Sequence, residues 1–214
     1  MSYSVKEIYF TLQGEGAQTG RPAVFLRFAG CNLWTGREKE RERAVCKFCD
    51  TQFVGTDGPG GGNFATAGAL ANAVRDTWPE ATGQSTPYVV CTGGEPLLQL
   101  NGQAIAALHD CGFEIGIETN GTLASPAGVD WICVSPKAAA RVVQTSGHEL
   151  KLVYPQEEPE AQPERFEHFD FEHFFLQPLD NDCLDSYTRA TIQYCLAHPQ
   201  WKLSLQTHKI VGIA

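Results

Sequence analysis

The amino-acid sequence predicts an α/β fold in which a mostly parallel sheet forms a partial, open barrel. Short β-branched and aromatic runs alternate with helical patterns, and polar motifs follow the carboxyl ends of several of these runs. Alternation of strands and helices favours parallel strands joined by right-handed crossovers. A complete eightfold barrel is not expected, because only a short loop separates the predicted strands 113–118 and 131–135.

The individual elements are predicted from short stretches of sequence. The strands are runs of β-branched, aromatic and other apolar residues. In chain order they are AVFLRF (23–28), YVVCT (88–92), FEIGIE (113–118), WICVS (131–135), LKLVY (150–154), FFLQ (174–177) and KLSLQ (202–206). The helices are segments with a helical pattern, and Pro or Gly marks several of their ends. They cover 37–48, 67–78, 101–111, 159–168 and 184–198.

Composition and charge are those of an ordinary globular protein. The 214 residues suffice for one domain or two small ones, and we expect a single domain over 1–214 with an insert at 32–45. No apolar run approaches the ~18 residues of a membrane span. The start MSYSVKEIYF lacks the layout of a signal peptide, so a cytoplasmic location is expected. The net charge of −9 argues against a protein that binds nucleic acid.

Eight cysteines in a reducing compartment indicate metal ligands or buried apolar side chains rather than disulfides. Five are expected to be small buried apolar residues: Cys91, Cys111, Cys133, Cys183 and Cys195. The remaining three have the spacing C-x14-C-x2-C and lie at Cys31, Cys46 and Cys49. Structural zinc and ordinary four-iron clusters both use four ligands, so three thiolates would leave one iron open to a small molecule. Zinc with a distant fourth ligand remains an alternative.

Polar motifs follow the carboxyl ends of the predicted strands. They are Cys31, TGGEP (92–96), ETNG (118–121), SPK (135–137), QP (177–178) and QTH (206–208). Parallel α/β sheets and barrels place their chemistry at that edge. The sequence therefore predicts an active site there.

The motifs together resemble a known enzyme family. Three cysteines that end in C-x2-C, followed by GGE, are typical of the radical S-adenosylmethionine superfamily, although most of its members have C-x3-C-x2-C. With TLQGEG (11–16), RFAGCNLW (27–34), CDT (49–51) and QTHK (206–209), the chain resembles the 7-carboxy-7-deazaguanine synthases, in the branch with a long cysteine insert. The resemblance spans nearly the whole chain and is weakest at 55–85 and 156–170. It implies the partial TIM-like barrel of the radical S-adenosylmethionine enzymes.

The resemblance also implies a reaction. Enzymes of this family are lyases that convert 6-carboxy-5,6,7,8-tetrahydropterin into 7-carboxy-7-deazaguanine with loss of ammonia, a step toward 7-deazapurines such as preQ0 and queuosine. The implied cofactors are a [4Fe-4S] cluster with three cysteine ligands, S-adenosylmethionine on the open iron, and Mg²⁺. The implied partners are an external electron donor such as flavodoxin and a second copy of the chain in a homodimer.

Matched positions give the implied site residues. The cluster ligands are Cys31, Cys46 and Cys49, and the magnesium ligand is Thr51. Contacts with S-adenosylmethionine are implied for Phe48, Cys49, Asp50, Gly93, Gly94, Glu95, Glu118, Ser135, Pro136, Lys137, Gln177 and Pro178. Contacts with the substrate are implied for Leu12, Gln13, Gly14, Glu15, Arg27, Thr92, His208 and the carboxylate of Ala214.

Three of these roles have a physical reason. Gly93 and Gly94 would let the backbone approach the ligand closely. Arg27 offers a planar fork for the substrate carboxylate. The chain end would reach the site because Ile210, Val211 and Ile213 are apolar enough to dock against the barrel mouth, where Gly212 permits a bend.

Two other functions remain open at this point. One is an activating enzyme that makes a glycyl radical on a protein partner; it would share the cluster and GGE but give no role to TLQGEG and QTHK. The other is a zinc-stabilised binding module without catalytic activity. An iron–sulfur protein purified without oxygen is brown, whereas a zinc protein is colourless.

Overall fold

The computed structural model describes residues 2–80 and 85–213, and within these ranges nine strands form one sheet. The strands are β1 (Tyr3–Leu12), β2 (Pro22–Phe28), β3 (Gly62–Phe64), β4 (Tyr88–Gly93), β5 (Glu114–Thr119), β6 (Trp131–Val134), β7 (Ser146–Tyr154), β8 (Asp170–Pro178) and β9 (Trp201–Leu203). The helices are α1 (Ala67–Thr77), α2 (Gly102–Asp110), α3 (Leu184–Ala197) and α4 (Thr207–Val211).

The sheet is mostly parallel and open. Its strand order is β3-β1-β2-β4-β5-β6-β7-β8-β9; the pairs from β2 to β9 are parallel, and β1 is antiparallel to both β2 and β3. The predicted α/β class and mostly parallel open sheet are confirmed. Strands β5 and β6 are neighbours in the sheet without a helix between them, as the short loop predicts.

All seven predicted strands are present as β2 and β4–β9, but β1 and β3 were not predicted. In β1 Tyr3 and Val5 are buried, a bulge between Val5 and Glu7 then shifts the pairing with β2, and the next buried residue is Ile8. A bulge inserts one residue and so breaks the two-residue period by which strands are recognised. Strand β3 has only three residues, which is too short to give a pattern.

Three predicted helices are confirmed as α1, α2 and α3, and two are wrong. The segment 37–48 contains only the 3-10 helix Glu38–Arg43. The segment 159–168 contains two short 3-10 turns, Pro159–Ala161 and Pro163–Arg165. Proline disfavours helical geometry in the residue before it, and Gln162 is accordingly extended, with ψ of 145°. Helix α4 was not predicted.

The two faces of the sheet have different roles. Residues 24, 26 and 28 of β2 are buried in a core that includes residues of α1 and α2. The alternate residues Phe25 and Arg27 point to the opposite face and line a cavity. A second core cluster fills the β6–β9 end of the sheet and includes Leu150, Leu152 and Trp201. The helices thus cover one face, and the other is left for polar side chains.

All eight cysteines are free, in agreement with the prediction. Cys91 is fully buried in the core, and Cys111 and Cys195 pack against core clusters. Cys183 is exposed, so its predicted burial is wrong. Cys133 is buried, but beside carboxylates rather than apolar groups.

None of the helices in 2–80 and 85–213 has the length and apolar content that a bilayer span requires.

We expect Leu108→Ala to lower the free energy of unfolding by about 2–5 kcal/mol, because Leu108 is completely buried against α1 and the sheet and its loss leaves a cavity. Leu196→Ala is the matched control, since it also changes a helical leucine but one that is 73% exposed. Urea denaturation followed by circular dichroism measures both. Equal losses in the two variants would contradict this description of the core.

Candidate active site

A cavity of about 440 Å³ lies on the face of the sheet opposite α1 and α2. Most of the predicted site residues line it: Leu12, Gln13, Gly14, Glu15, Arg27, Cys46, Phe48, Cys49, Asp50, Thr51, Thr92, Gly93, Gly94, Glu118, Ser135, Lys137, Gln177, Pro178 and His208. Cys31, Glu95 and Pro136 do not line it, and Ala214 lies outside the described residues. Residues far apart in sequence are therefore brought to one cavity, as the position of the motifs at strand ends predicts.

Cys46 and Cys49 line one side of this cavity, and Cys31 lies behind the lining, close enough for its charge to act on both. The sulfur of Cys31 accepts a hydrogen bond from the backbone N–H of Leu33 at 3.4 Å. A hydrogen bond between the thiols of Cys46 and Cys49 lowers the pKa of Cys49 to about 6 and raises that of Cys46. The charge of Cys31 contributes to the rise at Cys46. The pair therefore shares a proton and presents one thiolate near neutral pH.

Among the described residues, no group of three or more His, Cys, Asp or Glu side chains is arranged to hold a single metal ion. A cluster of four irons spreads its thiolates more widely than one ion does. The three cysteines thus differ from a preformed site for one ion.

Gly93 and Gly94 pack against the backbone that leads into Cys31. A Cβ atom at residue 93 would lie 2.3 Å from the carbonyl oxygen of Phe28. At residue 94 it would lie 2.3 Å from the oxygen of Gly30 and 2.6 Å from the Cβ of Cys31. Close approach to protein backbone is therefore a sufficient reason for these glycines, in addition to the predicted approach to a ligand.

Glu95 is completely buried and joins the ends of β4 and β5. Its carboxylate accepts hydrogen bonds from the Thr119 hydroxyl at 2.7 Å and from the backbone N–H groups of Asn120 at 2.8 Å and Leu97 at 3.0 Å. Burial raises its pKa. Its own N–H donates to the oxygen of Gly30 at 2.9 Å. The oxygens of Glu95 are thus engaged within the protein, and Glu95 and Pro136 do not line the cavity. Their contacts with S-adenosylmethionine stay predictions.

A buried lysine that was not predicted organises the floor of the cavity. Lys151 of β7 is 3% exposed, and its Nζ lies 2.7 Å from Glu15 Oε2 and 2.8 Å from Glu118 Oε2. Burial would lower the pKa of Lys151, but Cys133 and the surrounding carboxylates raise it well above its usual value. Burial would likewise raise the pKa of Glu15, but Lys151 lowers it to about 2. The group is thus an ionised cluster.

This cluster holds amide side chains on both sides of the cavity. Glu118 Oε1 accepts a hydrogen bond from Gln13 Nε2 at 3.1 Å. Glu15 Oε1 accepts from Gln177 Nε2 at 3.1 Å and from Gln206 Nε2 at 2.9 Å. Both oxygens of Glu15 are therefore engaged, so Glu15 orients its neighbours in this structure, and its contact with the substrate stays a prediction.

Arg27 is held by two residues of β1. Its Nε donates to Glu7 Oε1 at 2.7 Å, and its Nη2 donates to the Tyr9 hydroxyl at 3.1 Å. Burial lowers the pKa of Arg27, but Tyr9 and Glu7 raise it further, so the side chain stays cationic. Glu7 and Tyr9 also line the cavity. They were missed because β1 was not predicted.

The segment after β9 closes one side of the cavity. The N–H and hydroxyl of Thr207 each donate to the oxygen of Gly14 at 2.9 Å. His208 packs on Gly14 so closely that a Cβ there would lie 2.1 Å from its Nδ1. Lys209 pairs with Asp50 at 2.8 Å and Asp180 at 2.5 Å. The QTHK motif thereby joins the end of β1, the cysteine loop and the segment after β8.

The end of the chain agrees only in part with the prediction. Gly212 does provide a bend, with φ of +73° at the end of α4. Ile210 and Val211 are 70% and 64% exposed, so their predicted docking against the barrel mouth is wrong. The last described residue, Ile213, donates its N–H to the oxygen of His208 at 3.0 Å.

The chain is similar over its full length to curated enzymes of one family. It is 64% identical over 213 residues to the 7-carboxy-7-deazaguanine synthase of Caulobacter vibrioides and 62% identical over 213 residues to that of Bordetella pertussis, and in both cases all of each chain is covered. Its fold is similar to the crystal structure of QueE from Escherichia coli, with a TM-score of 0.72, 27% identity, and coverage of 97% of this chain and 95% of that chain. No model of a protein family matches the chain.

Gly94→Ala is expected to reduce the iron bound after anaerobic reconstitution by at least half, because the added Cβ must displace the backbone at Gly30 and the Cβ of Cys31. Gly68→Ala is the control, since a Cβ there has no atom within 4 Å. Iron is measured per folded chain. Equal iron contents in the two variants would show that this contact does not position Cys31.

Lys151→Met is expected to lower the free energy of unfolding at neutral pH by about 3–5 kcal/mol, because it leaves two largely buried carboxylates, Glu15 and Glu118, without their cation. The loss should be full above pH 4.5 and shrink as the pH falls toward 2, where Glu15 becomes protonated in the wild type. Urea denaturation over this pH range measures it. The exposed Lys202→Met is the control, and an equally stable Lys151→Met would contradict the ionised cluster.

Proposed function

The chain belongs to the 7-carboxy-7-deazaguanine synthase family, a family of radical S-adenosylmethionine lyases of preQ0 biosynthesis, and we propose that it acts on 6-carboxy-5,6,7,8-tetrahydropterin in the cavity described above. The product would be 7-carboxy-7-deazaguanine, formed with loss of ammonia. One observation carries the proposal: Cys46 and Cys49 line the same cavity as Arg27 and Gln13. Cluster ligands and groups suited to a pterin carboxylate thus face one space.

The family implies an iron–sulfur cluster and S-adenosylmethionine, and the residues present fit both. Cys31, Cys46 and Cys49 would hold the cluster, since the thiols influence one another and Cys49 is readily ionised. When bound, the cluster and S-adenosylmethionine supply radical hydrogen-transfer chemistry. The protein supplies binding and orientation. Phe48, Asp50, Ser135, Lys137 and Pro178 would contact S-adenosylmethionine, and all line the cavity.

Substrate binding is proposed for the side of the cavity formed by β1, β2 and the segment after β9. Arg27 is a half-buried cation held in place by Glu7 and Tyr9, which suits it to bind the substrate carboxylate. Gln13, fixed by Glu118, would bind the aminopyrimidinone edge together with the backbone of Leu12 and Gly14. Thr92 and His208 would contact the ring.

Several finer features of this proposal come from the family resemblance. Thr51 would bind Mg²⁺, and its place in the cavity lining beside Asp50 supports this, since Mg²⁺ keeps several waters and uses few protein oxygens. The carboxylate of Ala214 would bind the substrate. A single domain over 1–214, an electron donor such as flavodoxin, a homodimer and a cytoplasmic location stay predictions. Family membership decides against the glycyl-radical activating enzyme and the zinc module.

The proposed function is tested by incubating the anaerobically reconstituted, reduced protein with S-adenosylmethionine and 6-carboxy-5,6,7,8-tetrahydropterin. Mass spectrometry should detect 7-carboxy-7-deazaguanine, and ammonia should appear in equal amount. Cys31→Ala, Cys46→Ala and Cys49→Ala should each lose the cluster and the activity, because each removes a ligand.

Cys91→Ala and Cys111→Ala are the matched controls, because these cysteines pack in or against the core away from the cavity. Both should retain iron and activity. Cluster loss in Cys91→Ala as complete as in Cys49→Ala would contradict a three-cysteine cluster, and the absence of product from iron-loaded wild type would overturn the proposed substrate.

A further inference from the structure

The insert 32–45, which separates Cys31 from the C-x2-C pair, has no assigned role. It is highly charged: the six residues of its 3-10 helix alternate between acidic and basic, and most of them are exposed to solvent. Such a segment would ordinarily be a solvated surface. Arg41 differs from its neighbours, because its guanidinium is turned toward the cysteine turn and is only 28% exposed.

The guanidinium of Arg41 binds the backbone on both sides of Phe48. Its Nη1 donates to the carbonyl oxygen of Lys47 at 2.8 Å and to that of Cys49 at 3.0 Å. These carbonyls belong to the turn C-x2-C (46–49) itself. One side chain thus reaches two points of the turn that carries two of the proposed cluster ligands.

Two further contacts fix the direction of this guanidinium. Its Nε and Nη2 donate to the two carboxylate oxygens of Glu38, at 2.6 and 2.9 Å. Its central carbon lies 4.1 Å from the ring centre of Trp34, which is buried and packs edge-to-face on Phe53. Glu38 and Trp34 both come from the insert, so the insert contains the residues that aim Arg41.

We propose that Arg41 is a positioning residue that holds the C-x2-C turn in the geometry that receives the cluster, and that this is a function of the insert. The inference rests on the proposed function only through the identity of the cluster ligands. A turn with two carbonyls fixed to one rigid donor cannot rotate freely, so the directions of the Cys46 and Cys49 side chains are set before the cluster binds. Exposed ion pairs contribute little energy by themselves, and the role of Glu38 is therefore to orient the arginine.

Arginine suits this role better than lysine. The planar guanidinium presents several N–H groups at fixed angles, so it can bind a carboxylate on one side and two carbonyls on the other while it stacks on an aromatic ring. A lysine ammonium is a flexible point charge that would reach fewer of these groups. Arg41→Lys should therefore be only partly functional.

The experiment compares wild type with Arg41→Ala, Arg41→Lys and Arg43→Ala, all as full-length, reconstituted protein. Arg43 lies in the same 3-10 helix and is exposed, so it matches the change in charge. Loss of the cluster to an iron chelator is followed anaerobically by visible absorbance. We expect the cluster to be lost on the order of tenfold faster in Arg41→Ala, which is the ratio expected when hydrogen bonds to a charged group are removed. Arg41→Lys should show an intermediate rate, and Arg43→Ala should show the wild-type rate.

A second measurement uses the iron-free chain. Hydrogen exchange of the backbone amides of 46–51 should be faster in Arg41→Ala than in wild type or Arg43→Ala, while amides of the core strands are unchanged. Wild-type rates in Arg41→Ala would overturn the inference, and so would equal acceleration in Arg43→Ala. If Arg41→Ala does not fold, Arg41→Lys decides: faster cluster loss than wild type supports the role and an unchanged rate overturns it. Product formation by wild type tests the proposed function separately.

Discussion

The site depends on a lysine that is almost completely buried at the floor of the cavity. Lys151 lies in the middle of β7, and a charge at that depth is tolerated only when it is paired. Its partners, Glu118 on β5 and Glu15 in the loop after β1, must therefore approach it. That requirement draws the loop across the open face of the sheet. Because each carboxylate has a second oxygen, the same pairs also fix Gln13, Gln177 and Gln206.

The opposite side of the cavity is built by backbone contacts rather than by buried charge. Gly93 and Gly94 allow the chain after β4 to touch the backbone at Phe28 and Gly30, and the N–H of Glu95 binds the oxygen of Gly30. This contact positions the start of the cysteine loop. Cysteine side chains that bind a metal need backbone held in place in this way, since a thiolate displaced by about 1 Å no longer binds its metal. Buried charge thus shapes the floor, and close backbone packing shapes the rim.

Sequence reasoning succeeded where the signal is local and failed where it depends on distant partners. The motifs at strand ends identified the part of the cavity lining that follows β4, β5, β6, β8 and β9, because the end of a parallel strand is recognisable from its own residues. The lining residues at 12–15, 27 and 48–51 were predicted from the family resemblance. The helix predicted at 37–48 was wrong because Arg41 binds the backbone of the cysteine turn instead of supporting a longer helix. Lys151 was missed although LKLVY places a charge inside an apolar run, since its partners lie 33 and 136 residues away in the sequence. That single charge in a predicted buried strand was the available signal.

One cation of the cavity, Lys137, differs from the others in its partners. Arg27 is paired with Glu7, Lys151 with Glu15 and Glu118, and Lys209 with Asp50 and Asp180. Lys137 instead donates to the carbonyl oxygen of Ser135 at 2.7 Å and to its hydroxyl, and the ion pairs of the described residues do not include it. Its charge acts to lower the pKa of both Cys46 and Cys49. The fixed carboxylates therefore neutralise the other cations, and the charge of Lys137 is left to offset the negative charge that collects on the thiolates.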